Sequence, residues 1–181
     1  GLCNEQQTGP RFYFKGHSNA SLAGTKHQDV FVKVWRADDV DMESIESEWI
    51  CHNRAFKAGV PVAAPVLSEI GRSKSSEGIE YLVFAVEFIR QDRIETFENL
   101  WQFCRSLIES VLTLHHQAKM LHCDLKPANI RWSKRVVRLF DFEHAQDMST
   151  AEWAPGTNGY QAPEILKNLP CSSMTDAFSV G

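Results

Sequence analysis

No run of 18 apolar residues occurs in this chain, which leaves no segment with the look of a membrane-spanning helix. Positive charge is not in surplus. Lys and Arg number 19 against 23 Asp and Glu, a net charge of −4, which argues against a nucleic-acid footprint. Cysteine is sparse: five residues, Cys3, Cys51, Cys104, Cys123 and Cys171, scattered and odd in number. No two have zinc-ligand spacing. The pattern argues against a disulfide framework and a structural metal, and fits free thiols in a reducing compartment. No internal repeat and no signal peptide is visible in these residues. Cytoplasmic or nuclear, intracellular residence is expected on the absence of signals alone. The chain opens on Gly1 rather than Met, so a segment ahead of it is expected. What remains is ordinary globular material: 43% hydrophobic, 23% charged, over 181 residues, enough to bury a sizeable core.

The most informative stretch is His122-Cys123-Asp124-Leu125-Lys126-Pro127-Ala128-Asn129, with Asp141-Phe142-Glu143 following. It sets two acids, a lysine and an amide where a phosphoryl-transfer site needs them. Asp124 can accept the proton of an attacking hydroxyl. Asn129 and Asp141 offer the hard oxygens that magnesium prefers. Lys126 can neutralise charge on the group in transit. Such chemistry is mostly positioning and electrostatics, so a few fixed polar groups suffice. Between the two motifs, Ile130-Arg131-Trp132, Ser133-Lys134-Arg135 and Val136 to Phe140 read as strand, turn, strand. That hairpin returns Asp141 to Asn129.

Elsewhere, Phe12–Phe14 and Val30–Trp35 read as strands. Residues 41–57 read as a helix capped by Asp38, Asp39 or Asp41, with Ile45, Trp49, His52 and Phe56 on one stripe. Gly59-Val60-Pro61 ends it. Val66–Ile70 and Tyr81–Ile89 are expected strands, joined by a Gly71–Gly78 loop. A short helix over 95–100 and a longer one over 101–116 are expected. In the longer helix Phe103, Leu107, Ile108, Val111, Leu112 and Leu114 form the apolar side. Strands first and helices later imply an α+β fold of two lobes, over 1–88 and 89–181.

On these motifs the chain resembles a eukaryotic-type protein kinase domain. Lys33 in Val32-Lys33-Val34 resembles the strand lysine of that family. Gly156-Thr157-Asn158-Gly159-Tyr160-Gln161-Ala162-Pro163-Glu164 resembles its substrate-binding segment, and Asp176–Gly181 the start of its long buried helix. The resemblance implies a small antiparallel β lobe with one helix and an incomplete, mainly helical second lobe. It implies ATP and Mg2+ as cofactors and a protein substrate, with no nucleic acid, no membrane span and oligomeric state left open. By position it makes Lys33 the phosphate contact and Glu48 its helix partner, with Glu46 the alternative. Gly16 opens the glycine-rich loop. Glu87 and Ile89 offer hinge backbone groups to adenine, beside Val86. It gives His122, Thr157, Glu164 and Asp176 supporting roles. His122 packs under Phe142, Thr157 bridges Asp124 and Lys126, and Asp176 holds the catalytic loop from below. Lys126 and Thr157 favour Ser/Thr as acceptor.

The departures from that pattern are specific. Ser18 and Ser21 stand where further glycines are expected, Phe31 where a small residue covers adenine, and Ala23 where a valine does. Cys123 replaces the arginine that reads an activation-loop phosphate, so a loop held by packing is expected. Glu143 replaces the usual glycine. The chain stops where the large buried helix opens, so a fragment or truncated product is expected. The leading expectation is an ATP-dependent Ser/Thr protein kinase. The alternatives are a pseudokinase or inactive fragment serving as a binding module, favoured by the departures, and a small-molecule kinase, favoured by Glu143.

Overall fold

The computed structural model describes residues 12–18 and 28–181. The fold is α+β, and its chain divides into two compact units. The first takes the described residues up to Trp49 together with Ala64–Phe88, and the second takes Ile50–Ala63 and Ile89–Gly181.

The first unit is an antiparallel sheet with part of one helix. Strands β1 (Phe12–Ser18), β2 (Gln28–Arg36), β3 (Gly71–Lys74) and β4 (Glu80–Glu87) lie in the order β1-β2-β4-β3. β2 is central because its residues tolerate burial: Val30 and Trp35 are buried, and Lys33 is buried with them. Lys33 sits two residues from Trp35, so the two share a face, and Lys33 is paired in register with Phe84 of β4. Helix α1 (Met42–Lys57) begins at Asp41. The Asp41 carboxylate accepts from the backbone N–H of Glu43 at 3.2 Å and of Ser44 at 3.3 Å, two donors that a helix start leaves unpaired. Ile45, Glu48 and Trp49 are its buried face in this unit, and Trp49 meets the edge of Phe84 at 5.3 Å.

The strand expected over 66–70 is displaced. Only Val66 bonds to the sheet, through its N–H to Ala85, and the strand proper is Gly71–Lys74, inside the expected loop. Hydrophobic composition drew the earlier boundary, whereas pairing with the Glu80–Val83 end of β4 decides the real one. The glycine-loop reading keeps only Gly16, which lies within β1 opposite Val30, and Ser18. Ser21 and Ala23 lie outside the described residues.

The second unit is built on helix α2 (Phe97–Thr113), one helix rather than the two expected. Thr96 caps it, accepting from Asn99 N–H at 3.1 Å, so the chain turns helical once and does not break near Leu100. Leu107, Val111 and Leu114 pack with Val60, Val62, Leu125, Trp132, Val137, Leu139 and Phe142 in the core. Ile108 and Leu112, expected on that face, are 51% and 48% exposed. With Phe97 and Trp101 they form a second apolar stripe, about a quarter turn round the helix from the first. Phe56 is likewise exposed, and Ala55 takes the core position.

After a wide helical turn over Leu114–Ala118, Lys119 adopts a left-handed φ of 55° and starts β5 (Met120–Leu121), which pairs with β8 (Gln146–Asp147). β6 (Ile130–Ser133) and β7 (Val136–Leu139) form the expected hairpin. Two short helices follow, α3 (Pro163–Leu166) and α4 (Ser173–Val180), the latter opened by a Ser172/Thr175 capping box. Among the described residues no helix is long and apolar enough to cross a membrane.

Candidate active site

The segment 122–129 is a loop pinned at both ends by apolar side chains. Leu121 and Leu125 are buried on either side of Asp124. Between them Cys123 takes a left-handed φ of 62°, a conformation that non-glycine residues hold only when the surroundings impose it. What imposes it is Asp176, wholly buried on α4. Its carboxylate accepts from His122 N–H at 2.8 Å and Cys123 N–H at 2.9 Å. His115 Nε2 meets the same carboxylate at 2.8 Å.

On that base the polar groups converge. The Lys126 ammonium donates to Asp124 Oδ2 at 2.6 Å and to Thr157 Oγ1 at 2.8 Å. The Thr157 hydroxyl donates to Asp124 Oδ1 at 2.6 Å. Asn129 donates through Nδ2 to the Asp124 carbonyl at 3.0 Å and to Oδ2 at 3.3 Å. Its amide oxygen is therefore turned away from Asp124. Phe140 N–H donates to the Asn129 carbonyl at 2.9 Å, so the hairpin does return the chain, and Asp141 follows at a left-handed φ of 63°. Among the described residues no three His, Cys, Asp or Glu side chains gather as an all-protein metal cage. Asn129 and Asp141 offer oxygens only, which fits a magnesium ion that keeps several of its ligands from water and phosphate.

In the first unit, Lys33 Nζ and Glu48 Oε1 are 2.5 Å apart, with both side chains buried. Glu48 rather than Glu46 is the partner, because Glu46 lies on the exposed side of α1. The ammonium also sits 5.9 Å from the Phe84 ring centroid, an arrangement that favours the charged form. Glu87 is spoken for in part, its N–H donating to Ala64 at 2.8 Å. Ile89 is buried.

The family model described as "Protein kinase domain" matches residues 78–181. The chain belongs to that family. Serine/threonine-protein kinase dkf-2 of Caenorhabditis briggsae is 38% identical over 82 residues, 41% of this chain and 7% of that protein. Proto-oncogene serine/threonine-protein kinase mos of Mus musculus is 36% identical over 88 residues, 44% of this chain and 25% of that protein. A probable L-type lectin-domain containing receptor kinase VII.2 of Arabidopsis thaliana is 29% identical over 126 residues, 59% of this chain and 18% of that protein. The matched segments span a quarter or less of these relatives' lengths.

The residues that the resemblance assigns supporting roles have partners of their own. The His122 ring lies 5.2 Å from Phe142 and its Nε2 bonds the Phe140 carbonyl at 2.9 Å. Glu164 accepts from Thr175 Oγ1 at 2.7 Å, joining α3 to the start of α4. Glu143 is exposed, so its charge has water rather than the site interior. Trp153 donates through Nε1 to the Ile165 carbonyl at 3.0 Å, an anchor made within the segment itself.

Three residues escaped the sequence reading. His115 carries the far side of Asp176, and nothing in its helix-end context sets it apart from His116. His52 stands 5.5 Å edge-on to Phe142 while its Nε2 meets the Ala63 carbonyl at 2.8 Å; the sequence places it only on the stripe of the helix over 41–57. The Arg131 guanidinium lies 5.8 Å over the Phe140 ring and donates to the Ala128 and Ile130 carbonyls at 2.9 Å each. Its place on β6, alternating with buried Trp132, was the available signal.

Proposed function

We propose that this kinase domain transfers the γ-phosphate of ATP to a Ser or Thr hydroxyl of a protein substrate. The observation that carries the reading is the closed set of bonds among Asp124, Lys126, Thr157 and Asn129. Asp124 is oriented by a cation and two donors, where it would accept a proton from a hydroxyl at hydrogen-bond distance. Lys126 stays close enough to offset charge on the transferring group. Thr157 fixes the angle between the two.

Asn129 and Asp141 would hold magnesium, which when bound supplies neutralisation of the phosphate oxygens. Lys33, kept charged and aimed by Glu48, would contact the phosphates. Gly16, and the backbone of Glu87 and Ile89, would contact the nucleotide. His122 and Asp176 would hold the loop and act through it, and Glu164 would tie α3 to the start of α4. The Ser/Thr preference is supported by Lys126, by Thr157, and by relatives whose own names are serine/threonine kinases.

The test is magnesium-dependent ATP turnover on a generic Ser/Thr peptide, with Asp124→Ala and Asp141→Ala as controls. Turnover lost in both variants supports the reading. Nucleotide bound without turnover favours the second reading, a pseudokinase serving as a binding module, for which Phe31 on β2 and the glycine-poor stretch after Gly16 are the motivation. Phosphorylation of hydroxyl or amino metabolites, and not of peptides, would move it to a small-molecule kinase.

A further inference from the structure

Cys123 stands where the resemblance puts an arginine that reads an activation-loop phosphate, and its side chain has a different neighbour. Cys123 and Cys171 are both buried and share one small core with Leu121, Ala154, Ala162 and Ile165. Of the groups around it, Cys171 acts most strongly on the Cys123 thiol. Cys123 closes β5 and carries the N–H that Asp176 accepts. Cys171 lies two residues ahead of α4, its N–H bonded to the Glu152 carbonyl at 3.0 Å. The two residues therefore belong to segments that already meet across this core, with 124–170 looped between them.

We infer that Cys123 and Cys171 form a dithiol that closes to an intramolecular disulfide, tying the catalytic loop to the root of α4. The Sγ–Sγ bond forms as two S–H bonds break. Two protons and two electrons pass to the oxidant; with hydrogen peroxide the products are the disulfide and two waters. The surroundings set the rate. Contact with Cys171, then burial, then the charges of Asp176 and Asp124 push the Cys123 thiol well up, so the attacking thiolate is scarce and closure is slow. The same scarcity matters in reverse. A dithiol whose thiolate is not stabilised gives a disulfide that resists reduction. The pair is thus a slow, durable latch, unlike the exposed low-pKa cysteines of fast sensors.

The bridge would enclose a long loop and restrict the unfolded chain, so the expected effect is a rise in Tm of about 5 °C or more. The 181-residue protein is incubated with hydrogen peroxide, blocked with N-ethylmaleimide, unfolded, digested without reductant and mapped by mass spectrometry. The expected product is a Cys123–Cys171 linked peptide pair, lighter by two hydrogens, with the Tm rise reversed by dithiothreitol. Cys171→Ser should abolish both signals, and Cys104→Ser neither. Recovery of Cys123 and Cys171 as separate free thiols after prolonged oxidation overturns the inference. So does a linked pair that forms only in denatured protein, or bridges confined to the other cysteines. The wild-type map decides the matter even where Cys171→Ser fails to fold.

Discussion

Removing the Asp176 carboxylate should be among the most damaging single changes to this fold. The group is fully buried and serves three donors: His122 N–H, Cys123 N–H and His115 Nε2. Each buried donor stripped of its acceptor costs about 1–3 kcal/mol. Part of that returns if water enters the vacated space, so Asp176→Ala is expected to destabilise by about 3–5 kcal/mol. Asp176→Asn keeps the shape but has one acceptor oxygen. Its amide nitrogen must face a donor, so about 2–3 kcal/mol is expected. Urea unfolding followed by tryptophan fluorescence measures both. With a slope of about 2 kcal/mol/M, the alanine midpoint falls by about 2 M and the asparagine midpoint by about 1 M. An alanine variant within about 0.5 kcal/mol of wild type would refute the reasoning, since it would mean that the loop backbone finds other partners and that Asp176 is not what holds Cys123 left-handed.

Lys33→Met should strip the buried Glu48 carboxylate of the Lys33 cation, costing about 3 kcal/mol in urea unfolding, and Glu48→Gln should cost less because the amide oxygen can still accept from the Lys33 ammonium. Thr157→Val should cut peptide phosphorylation by about 10²-fold while Thr157→Ser retains most of it, consistent with the usual worth of a positioned proton acceptor; equal activity of the two variants would refute the bridging role. Ser149→Ala/Thr150→Ala should leave turnover intact, because the segment is anchored by Trp153 rather than by a phosphate; a large loss in a steady-state assay would overturn that. The Asp147 carboxylate is held well below the ordinary value of 3.8, chiefly by the Ser149 hydroxyl, with Ser149 N–H and Arg54 adding to it. Its folded pKa is depressed, so its contribution is fully present above pH 3.8 and is lost as pH falls further. Asp147→Asn should flatten that acid limb in a pH series of thermal melts. Lys134 and Arg135 occupy the β6–β7 turn at φ of 52° and 63°, so Lys134→Asn/Arg135→Gly should raise the urea midpoint by a stability gain of about 1 kcal/mol.

The site was more legible than the fold around it. Asp124, Lys126, Asn129 and Asp141 are separated by short, fixed spacings, and their chemistry survives any small error in strand boundaries. Lys33 was legible only through its resemblance to the strand lysine of the family, since a lysine on a strand is by itself more often exposed. The choice of Glu48 over Glu46 rested on distance to the Gly59 turn; what separates them physically is which side of α1 faces the sheet. Gly59 itself was a sound stop signal, with a φ of +80° and open space where a Cβ would sit, so backbone conformation alone asks for glycine there. The failures came where local pattern is ambiguous. The α2 sequence carries two apolar stripes, and periodicity does not say which one meets the core. Strand β3 is Gly-Arg-Ser-Lys, polar throughout and exposed over three of its four residues; only its pairing with β4 makes it a strand. His115 and His52 were invisible because a buried histidine is recognised by its partners, Asp176 and Ala63, and these are distant in sequence.

The Thr157 hydroxyl has a further consequence. An ionised carboxylate offers about four lone-pair sites, and Asp124 already spends one on Thr157, one on Lys126 and one on Asn129. A single vacancy is left, on the oxygen that Thr157 shares. With Asp124 as the base proposed above, the chain would hold an alcohol of its own against that base, as a substrate would be held. An incoming serine or threonine must match that resident hydroxyl in reach and angle to use the remaining position, and one that can only displace it would loosen Lys126 in the same movement. Substrate choice then begins as a contest between two alcohols for one oxygen, before any wider surface is engaged.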